Sequence, residues 1–237
     1  MEVGRIGELW RFPVKSMQGE PIAAAELGLA GIPGDRRWAL REAATGRLVT
    51  GRRVPRILDA VARLDGDLAL ITLPHGTRLT TADPGASAIL SDWLDLPVRL
   101  DEAVGGAFVD DSAAHVLTRS SLTTLLSVEP DVRWDVRRFR PTLLVESPAD
   151  GFVEDGWVGR HLQVGTAVLH VTVPTVRCAL PTRRHGDVPA DERVIAVLRR
   201  EHAAQLGVYG EVVVPGAVAV GDPVRLIDRG PVRVGGN

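Results

Sequence analysis

Three residue types that often carry chemistry are almost absent from this chain of 237 residues. The sequence contains one cysteine, Cys178, one lysine, Lys15, and one tyrosine, Tyr209. A single cysteine excludes an intrachain disulfide framework, a multi-cysteine zinc site and a cysteine-ligated iron–sulfur cluster. A single lysine leaves one candidate for Schiff-base chemistry, because 27 of the 28 basic side chains are arginines.

Excess charge and long apolar runs are also missing. The formal net charge is −2, whereas a bulk nucleic-acid binder usually carries a basic excess. The longest apolar stretches, such as residues 216–220, have the length of a strand, and a membrane-spanning helix needs roughly 20 apolar residues. Residues 1–16 lack the basic and apolar regions of a signal peptide. We therefore expect a cytoplasmic protein that binds neither nucleic acid nor membrane.

Short apolar segments separated by glycine and proline predict a mainly β fold of the α+β type. Asp65-Gly66 lies between two such segments and predicts a hairpin. The polar stretch 101–111 is the expected division between two β-rich units, residues 1–105 and 106–228. Residues 229–237 are expected to form a flexible tail.

Three segments predict short helices. Residues 84–94 follow Asp83, which is a good N-cap, and residues 120–127 begin with two serines. Residues 190–206 place apolar side chains on one face and end before Gly207, a typical helix stop. The six histidines are scattered without a ligand spacing, and we expect them to be structural.

Cations and turn residues occur together in the first half of the chain. Phe12–Ser16 ends in Lys15 and Ser16, and the run 31–38 contains Arg36. An ammonium group and a guanidinium fork are groups that bind phosphate, and a serine hydroxyl adds a further donor. A solvated cation beside a structural turn explains the same residues, so the sequence leaves both interpretations open.

Two segments of the second half also allow two interpretations each. Arg140 enters an apolar strand and points either into the mouth of a barrel or to solvent. Glu154 and Asp155 either orient nearby arginines or form an ordinary loop around a buried Trp157.

The single cysteine follows an arginine directly. An adjacent guanidinium makes Cys178 a candidate for a lowered thiol pKa, and hence for a thiolate nucleophile or a soft metal ligand. A lone cysteine is otherwise an inert buried residue.

Taken in order, these motifs resemble the MOSC family, in the branch with an N-terminal β-barrel domain that includes the mitochondrial amidoxime-reducing components. The resemblance covers residues 3–227 and implies a MOSC N-terminal β-barrel domain over 1–105 and a MOSC domain over 106–228. The motifs that carry it are Phe12–Ser16, Gly34–Trp38, Thr50–Arg52, Ser121-Leu122, Arg138–Thr142, Glu154–Trp157, Arg177-Cys178 and Gly216–Val224.

The resemblance implies a molybdenum cofactor between the two domains. Cys178 matches the cysteine that ligates molybdenum and takes part in catalysis, and thiolate is a sensible ligand for this metal. The positions that match residues holding or reaching the cofactor are Lys15, Ser16, Arg36, Ser120, Arg140, Arg177 and Tyr209.

Two departures from the family pattern predict an altered substrate pocket. Thr142 stands where the family has asparagine, which removes an amide that could bind the cofactor. The segment 181–186 carries two arginines and a histidine where many members have an acidic residue. We expect cofactor binding to persist in this divergent sequence.

The implied function is reduction of N-hydroxylated or similar N-oxygenated small molecules, with electrons from an external donor protein. A sulfur-carrier or cofactor-carrier module that uses Cys178 is the alternative, because a thiolate also accepts sulfur as a persulfide. A third hypothesis places pyridoxal phosphate on Lys15, through family association alone. A binding-only protein with a decayed site is the fourth, and the altered segment 181–186 is its main support.

Overall fold

The computed structural model describes residues 1–109 and 111–227, and it confirms a mainly β fold. The strands are β1 (Glu2–Arg11), β2 (Glu20–Ile22), β3 (Ala24–Leu27), β4 (Trp38–Glu42), β5 (Val61–Asp65), β6 (Leu68–Thr72), β7 (Arg78–Thr80), β8 (Val98–Glu102), β9 (Ala114–Thr118), β10 (Leu143–Glu146), β11 (His161–Val164), β12 (Ala167–Val176), β13 (Gln205–Val214), β14 (Gly216–Ala219) and β15 (Pro223–Ile227). The helices are α1 (Ala86–Leu94), α2 (Arg119–Val128) and α3 (Arg193–His202). The flexible tail predicted for residues 229–237 lies outside the described residues.

A closed barrel of seven strands forms the larger part of the fold. Its strands follow the order β10-β9-β13-β12-β11-β15-β1, and the pairing of β1 with β10 closes the ring. Alternation along the strands fills the interior: β11 buries Leu162 and Val164 and leaves His161 and Gln163 partly exposed. β9 and β10 are parallel, which is possible because α2 lies in the crossover between them.

A second apolar core lies beside the barrel. It is formed by β4 and β8, the sheet of β5, β6 and β7, and the helix α1. Trp38, Leu40, Ile71, Leu90 and Trp93 are all buried in it. The described residues therefore form three apolar clusters, which are the barrel interior, this second core, and a third that includes residues of α2 and α3.

The first strands of the chain pair with the second half of the sequence. β1 lies between β15 and β10, and β3 pairs with β14. Ile6 and Leu9 are buried in the barrel, whereas Val14 and Met17 are buried in the second core. The predicted units 1–105 and 106–228 therefore share a sheet, and the segment after β1 passes from one core to the other.

The predicted hairpin is confirmed, whereas the predicted helix caps are wrong. β5 and β6 pair around Gly66, whose φ of 57° lies in the left-handed region. The Asp83 carboxylate accepts from the backbone N–H of Thr80 rather than capping α1. Thr118, rather than either serine, caps α2, because its Oγ1 accepts from the Ser121 N–H at 3.2 Å.

The third helix is shorter than predicted. α3 ends at His202, and Ala203 closes it in the left-handed conformation. Gly207 lies within β13 with φ of 77°, and a Cβ there would lie 2.6 Å from His115 Nε2. This glycine therefore allows a close approach between two strands and does not end a helix. Within the described part of the chain, no helix has the length and apolar character needed to span a membrane.

Candidate functional site

A cavity of about 330 Å³ opens where the barrel meets the second core. Six cationic side chains line it, and no aspartate or glutamate is among the described lining residues. The six are Lys15, Arg36, Arg52, Arg138, Arg140 and Arg177. A concave site lined by charges of one sign concentrates ions of the other sign, so this cavity favours anions.

The cavity brings together seven of the eight residues predicted from the sequence. They are Lys15, Ser16, Arg36, Arg140, Arg177, Cys178 and Tyr209. The eighth, Ser120, is not among the lining residues. Its hydroxyl lies 3.0 Å from Thr118 Oγ1 at the start of α2.

Two arginines of the cavity lie over one aromatic ring. Phe12 is buried, and the Cζ atoms of Arg140 and Arg36 lie 4.2 and 5.1 Å from its ring centre. Asp35 fixes this arrangement, because one carboxylate oxygen accepts from the Phe12 N–H at 2.7 Å and the other pairs with Arg36. Arg140 Nη1 donates to the carbonyl of Met17 at 2.6 Å. The aromatic face holds both cations at the cavity wall.

Three of the predicted residues have an uncommon backbone conformation. Ser16, Arg36 and Arg140 have φ values of 68°, 49° and 53°. Within the described chain, the other non-glycine residues with positive φ lie at or just after the C-terminal ends of α1 and α3. A left-handed residue costs about 1–2 kcal/mol, and such conformations concentrate at functional sites. We refer to Lys15, Ser16, Arg36 and Arg140 together as the anion wall.

Lys15 is enclosed by the chain that joins the two halves. Its side chain is buried, and Nζ donates to the carbonyl of Phe108 at 2.8 Å. Its backbone N–H donates to the Trp38 carbonyl. The only lysine is therefore held between Phe108, which lies between the two halves of the chain, and Trp38 of β4.

Arg177 does not point freely into the cavity. Its guanidinium donates to the carbonyls of Leu206 and Phe139 and contacts His115 Nε2. Burial lowers the pKa of Arg177 to about 10. Burial, together with the Arg177 charge, also holds the pKa of His115 well below its usual value, so His115 is a neutral acceptor. No sequence pattern marked His115, which follows one apolar residue and precedes two in β9.

Cys178 follows the end of β12, lines the cavity and is exposed. The backbone N–H of Leu180 lies 3.5 Å from its Sγ atom. The predicted alternative of an inert buried cysteine is therefore wrong. The described residues contain no group of three or more histidine, cysteine, aspartate or glutamate side chains arranged to hold a metal.

The acidic loop before Trp157 does not orient arginines. Glu154 is fully buried and accepts from the hydroxyls of Thr118 at 2.6 Å and Ser121 at 2.7 Å. Burial raises the pKa of Glu154. Asp155 contacts His202 Nε2 at 2.6 Å. This loop stabilises the start of α2, and the structural interpretation of the motif is the correct one.

The altered segment 181–186 is fixed by Arg138, which lies two residues before Arg140 of the anion wall. We call residues 179–191 the strap. Arg138 is fully buried and donates to the carbonyls of Pro181 and Pro189 at 2.9 and 2.7 Å. Burial lowers the pKa of Arg138 and lowers that of His185, inside the strap, to about 4.

The extra cations of the strap are directed away from the cavity. Arg184 pairs with Asp59 at 3.0 Å, and Arg183 lies 3.7 Å from Glu192. Only Leu180 and Pro181 of the strap line the cavity. The departure from the family pattern therefore changes the pocket wall through apolar residues and adds no charge to it.

Two hydroxyl groups in the cavity wall lack a partner. The Oγ1 atoms of Thr50 and Thr175 are buried and have no hydrogen-bond partner among the described residues. Thr175 is 1% exposed. Because an unsatisfied buried hydroxyl is unfavourable, these atoms indicate a wall shaped to contact a bound polar group.

Comparison with known protein families matches both halves of the chain. Residues 105–225 match the MOSC domain. The chain belongs to the MOSC family. Residues 3–96 match the MOSC N-terminal beta barrel domain, so this member has both parts.

Similar curated proteins cover nearly the whole chain. Mitochondrial amidoxime-reducing component 1 of Homo sapiens is 26% identical, with 96% of this chain and 84% of that protein covered. Mitochondrial amidoxime reducing component 2 of Bos taurus is 24% identical, with 94% of this chain and 83% of that protein covered. Among solved structures, the YUAD protein of Bacillus subtilis shares the fold, with a TM-score of 0.52, 12% identity and 94% of both chains covered. Both of these curated proteins are named for the reduction of amidoximes.

Proposed function

We propose that this MOSC protein binds the molybdenum cofactor in the cavity and reduces N-oxygenated small molecules. One observation carries the proposal: a cavity lined by six cations, with no described carboxylate, contains the exposed thiol of the only cysteine. A pterin phosphate needs the cations, and molybdenum needs a soft ligand. The names of the similar proteins support the substrate class.

The residues of the cavity fit this group. Lys15, Arg36 and Arg140 supply positive charge, and Ser16 supplies a hydroxyl beside them. Ser16, Arg36 and Arg140 have a left-handed backbone, and they keep their polar groups at the wall despite the conformational cost. The hydroxyls of Thr50 and Thr175, which have no partner among the described residues, belong to the same cavity wall and would be satisfied by a bound polar group.

The roles of the site residues follow from their surroundings. The anion wall would hold the phosphate of the cofactor, and Cys178 would ligate its metal. Arg177 is a positioning residue, because its guanidinium donates to the carbonyls of Leu206 and Phe139. These hydrogen bonds fix the backbone next to Cys178. Tyr209 lies beside His115, with ring centres 5.5 Å apart, and lines the cavity from β13.

The overall reaction converts an N–OH group into N–H and water, and it consumes two electrons and two protons. When bound, the molybdenum cofactor supplies the two-electron chemistry that removes oxygen from nitrogen. The electrons come from an external donor protein in this proposal. The protein itself binds the cofactor and positions the substrate in the cavity.

Molybdenum analysis of a cysteine variant tests the ligand role. Protein from a host that makes the cofactor is purified as wild type and as Cys178→Ser, and metal is measured per chain. We expect at least a tenfold loss of molybdenum in the variant, because an alcohol is a poor soft-metal ligand. Equal content would contradict the role of Cys178. Cofactor-free preparations of both proteins should unfold at the same temperature, because Cys178 is exposed, whereas a bound cofactor would itself raise the unfolding temperature.

The alternative functions give different results in the same preparation. Cyanide-releasable sulfur on Cys178 in molybdenum-free protein would favour the sulfur carrier. Absorbance of an aldimine that is lost in Lys15→Arg would favour pyridoxal phosphate. The cytoplasmic location expected from the sequence stays a prediction.

A further inference from the structure

One cation of the cavity differs from the other five. Lys15, Arg36, Arg138, Arg140 and Arg177 each donate to a carbonyl or a carboxylate of the protein. Arg52 is exposed at the cavity, and the described residues include no hydrogen-bond or ion-pair partner for it. Its five N–H donors are therefore available to a ligand.

The turn that carries Arg52 is rigid. The N–H groups of Arg53 and Val54 both donate to the Thr50 carbonyl at 2.9 Å. Gly51 is buried, and a Cβ there would lie 2.8 Å from Leu58 and 2.9 Å from Leu180. The backbone of the turn is thus packed against the second core on one side and against the strap on the other.

This packing places the turn that carries Arg52 against Leu180, two residues after the cysteine. Leu180, which contacts Gly51, donates its N–H toward Cys178 Sγ. The neighbouring Arg53 is already occupied, because its Nη2 donates to Glu42 Oε1. Of the two adjacent arginines, only Arg52 lines the cavity.

A second, independent feature of the same turn indicates a ligand. Thr50 Oγ1 is buried in the cavity wall and has no partner among the described residues. A free guanidinium fork with a nearby hydroxyl donor matches the two oxygens of a carboxylate. The anion wall is a separate set of residues, so a phosphate bound there leaves Arg52 available.

We propose that Arg52, assisted by Thr50, receives the carboxylate of an anionic substrate at the mouth of the cavity. The inference rests on the proposed function and narrows its substrates to N-oxygenated molecules that carry a carboxylate. Arg52 is a specificity-determining residue and takes no part in electron transfer. The N–O group of such a molecule points inward, toward Cys178.

Two substrates that differ by one carboxylate test the preference. Reduction of benzamidoxime and of 4-carboxybenzamidoxime is measured in wild type, Arg52→Gln and the control Arg53→Gln. We expect the ratio of kcat/KM, carboxylated over neutral, to exceed ten in wild type and in Arg53→Gln and to fall at least tenfold in Arg52→Gln. A ratio near one in wild type, or an unchanged ratio in Arg52→Gln, overturns the inference.

A binding measurement separates this inference from the proposed function. Benzoate is titrated calorimetrically into the same three purified proteins, with no turnover required. Binding at least tenfold weaker in Arg52→Gln alone supports the inference even if neither amidoxime is reduced. Equal affinity in all three proteins overturns it, even if both amidoximes are reduced.

The cofactor itself is the other possible ligand of Arg52. If the site held a nucleotide-extended cofactor, Arg52 could receive its second phosphate. Nucleotide analysis of extracted cofactor decides this point. We expect no nucleotide in wild type or in Arg52→Gln, and a nucleotide present in wild type and lost in the variant overturns the inference.

Discussion

The anion wall and the strap both contain arginines, yet they use them for opposite purposes. In the anion wall, Arg36 and Arg140 lie over Phe12 and line the cavity. In and beneath the strap, Arg138 and Arg184 are engaged by backbone carbonyls and by Asp59. The surroundings of a cation, an aromatic ring at the cavity wall or a set of backbone carbonyls beneath the strap, therefore decide whether it serves the cavity or the fold.

The largest expected effect comes from removing the cation beneath the strap. Arg138→Met should lower the free energy of unfolding by about 3 kcal/mol or more, because several buried carbonyls lose their donor. Urea unfolding of this variant checks the value. Arg199→Met, an exposed arginine of α3, is the control and should change stability by less than about 0.5 kcal/mol. Equal small effects would contradict the structural role of Arg138.

The strap should also weaken in acid. His185 is buried and neutral, with its pKa lowered to about 4, whereas in the unfolded chain it takes up a proton near pH 6.5. The unfolded state therefore binds more protons between these values, and stability is lost as pH falls through this window. His185 alone should lower the free energy of unfolding by about 2–3 kcal/mol between pH 7 and pH 4.5.

Urea midpoints at several pH values measure this loss. His185→Gln should flatten the pH dependence, while the exposed His75→Gln should leave it as in wild type. His115 is also buried and neutral, so part of the acid sensitivity should remain in His185→Gln. If the urea midpoint depends on pH as steeply in His185→Gln as in wild type, the strap does not contain a buried neutral histidine.

A smaller effect tests the strained backbone of the anion wall. Ser16→Gly and Ser16→Ala both remove the hydroxyl, but only alanine keeps a side chain at φ of 68°. Ser16→Gly should therefore be more stable than Ser16→Ala by about 1 kcal/mol. Thermal unfolding of the two variants gives the difference. Equal stability would mean that the left-handed conformation carries no cost at this position.

Much of the anion wall was predictable, because a local motif fixes it. Lys15, Ser16 and Arg36 lie in short runs with proline and glycine, and such runs carry a recognisable pattern. Phe12 gave no hint that its ring supports two guanidinium groups, since one of them is more than a hundred residues away in sequence. Contacts of that range leave no periodicity for sequence analysis to detect.

The strap was predicted less well, because its contacts also join residues that are distant in sequence. Two arginines and a histidine in 181–186 predicted an altered substrate pocket, and only the tertiary partners Asp59 and Glu192 show that the arginines are engaged elsewhere. The helix caps were wrong because Thr80 donates to the Asp83 carboxylate, whereas Thr118 Oγ1 accepts from the Ser121 N–H in place of the serine hydroxyls. The closure of the barrel by β1 and β10 is likewise a long-range pairing.

The most direct test of the account compares two adjacent arginines. Arg36 belongs to the anion wall, whereas Arg37 pairs with Glu102 on the surface. Bound pterin is measured per chain in Arg36→Gln, Arg37→Gln and wild type, all from a host that makes the cofactor. We expect about one pterin per chain in wild type and Arg37→Gln, and at least a tenfold loss in Arg36→Gln. No pterin in wild type, or equal pterin in all three proteins, would contradict this expectation.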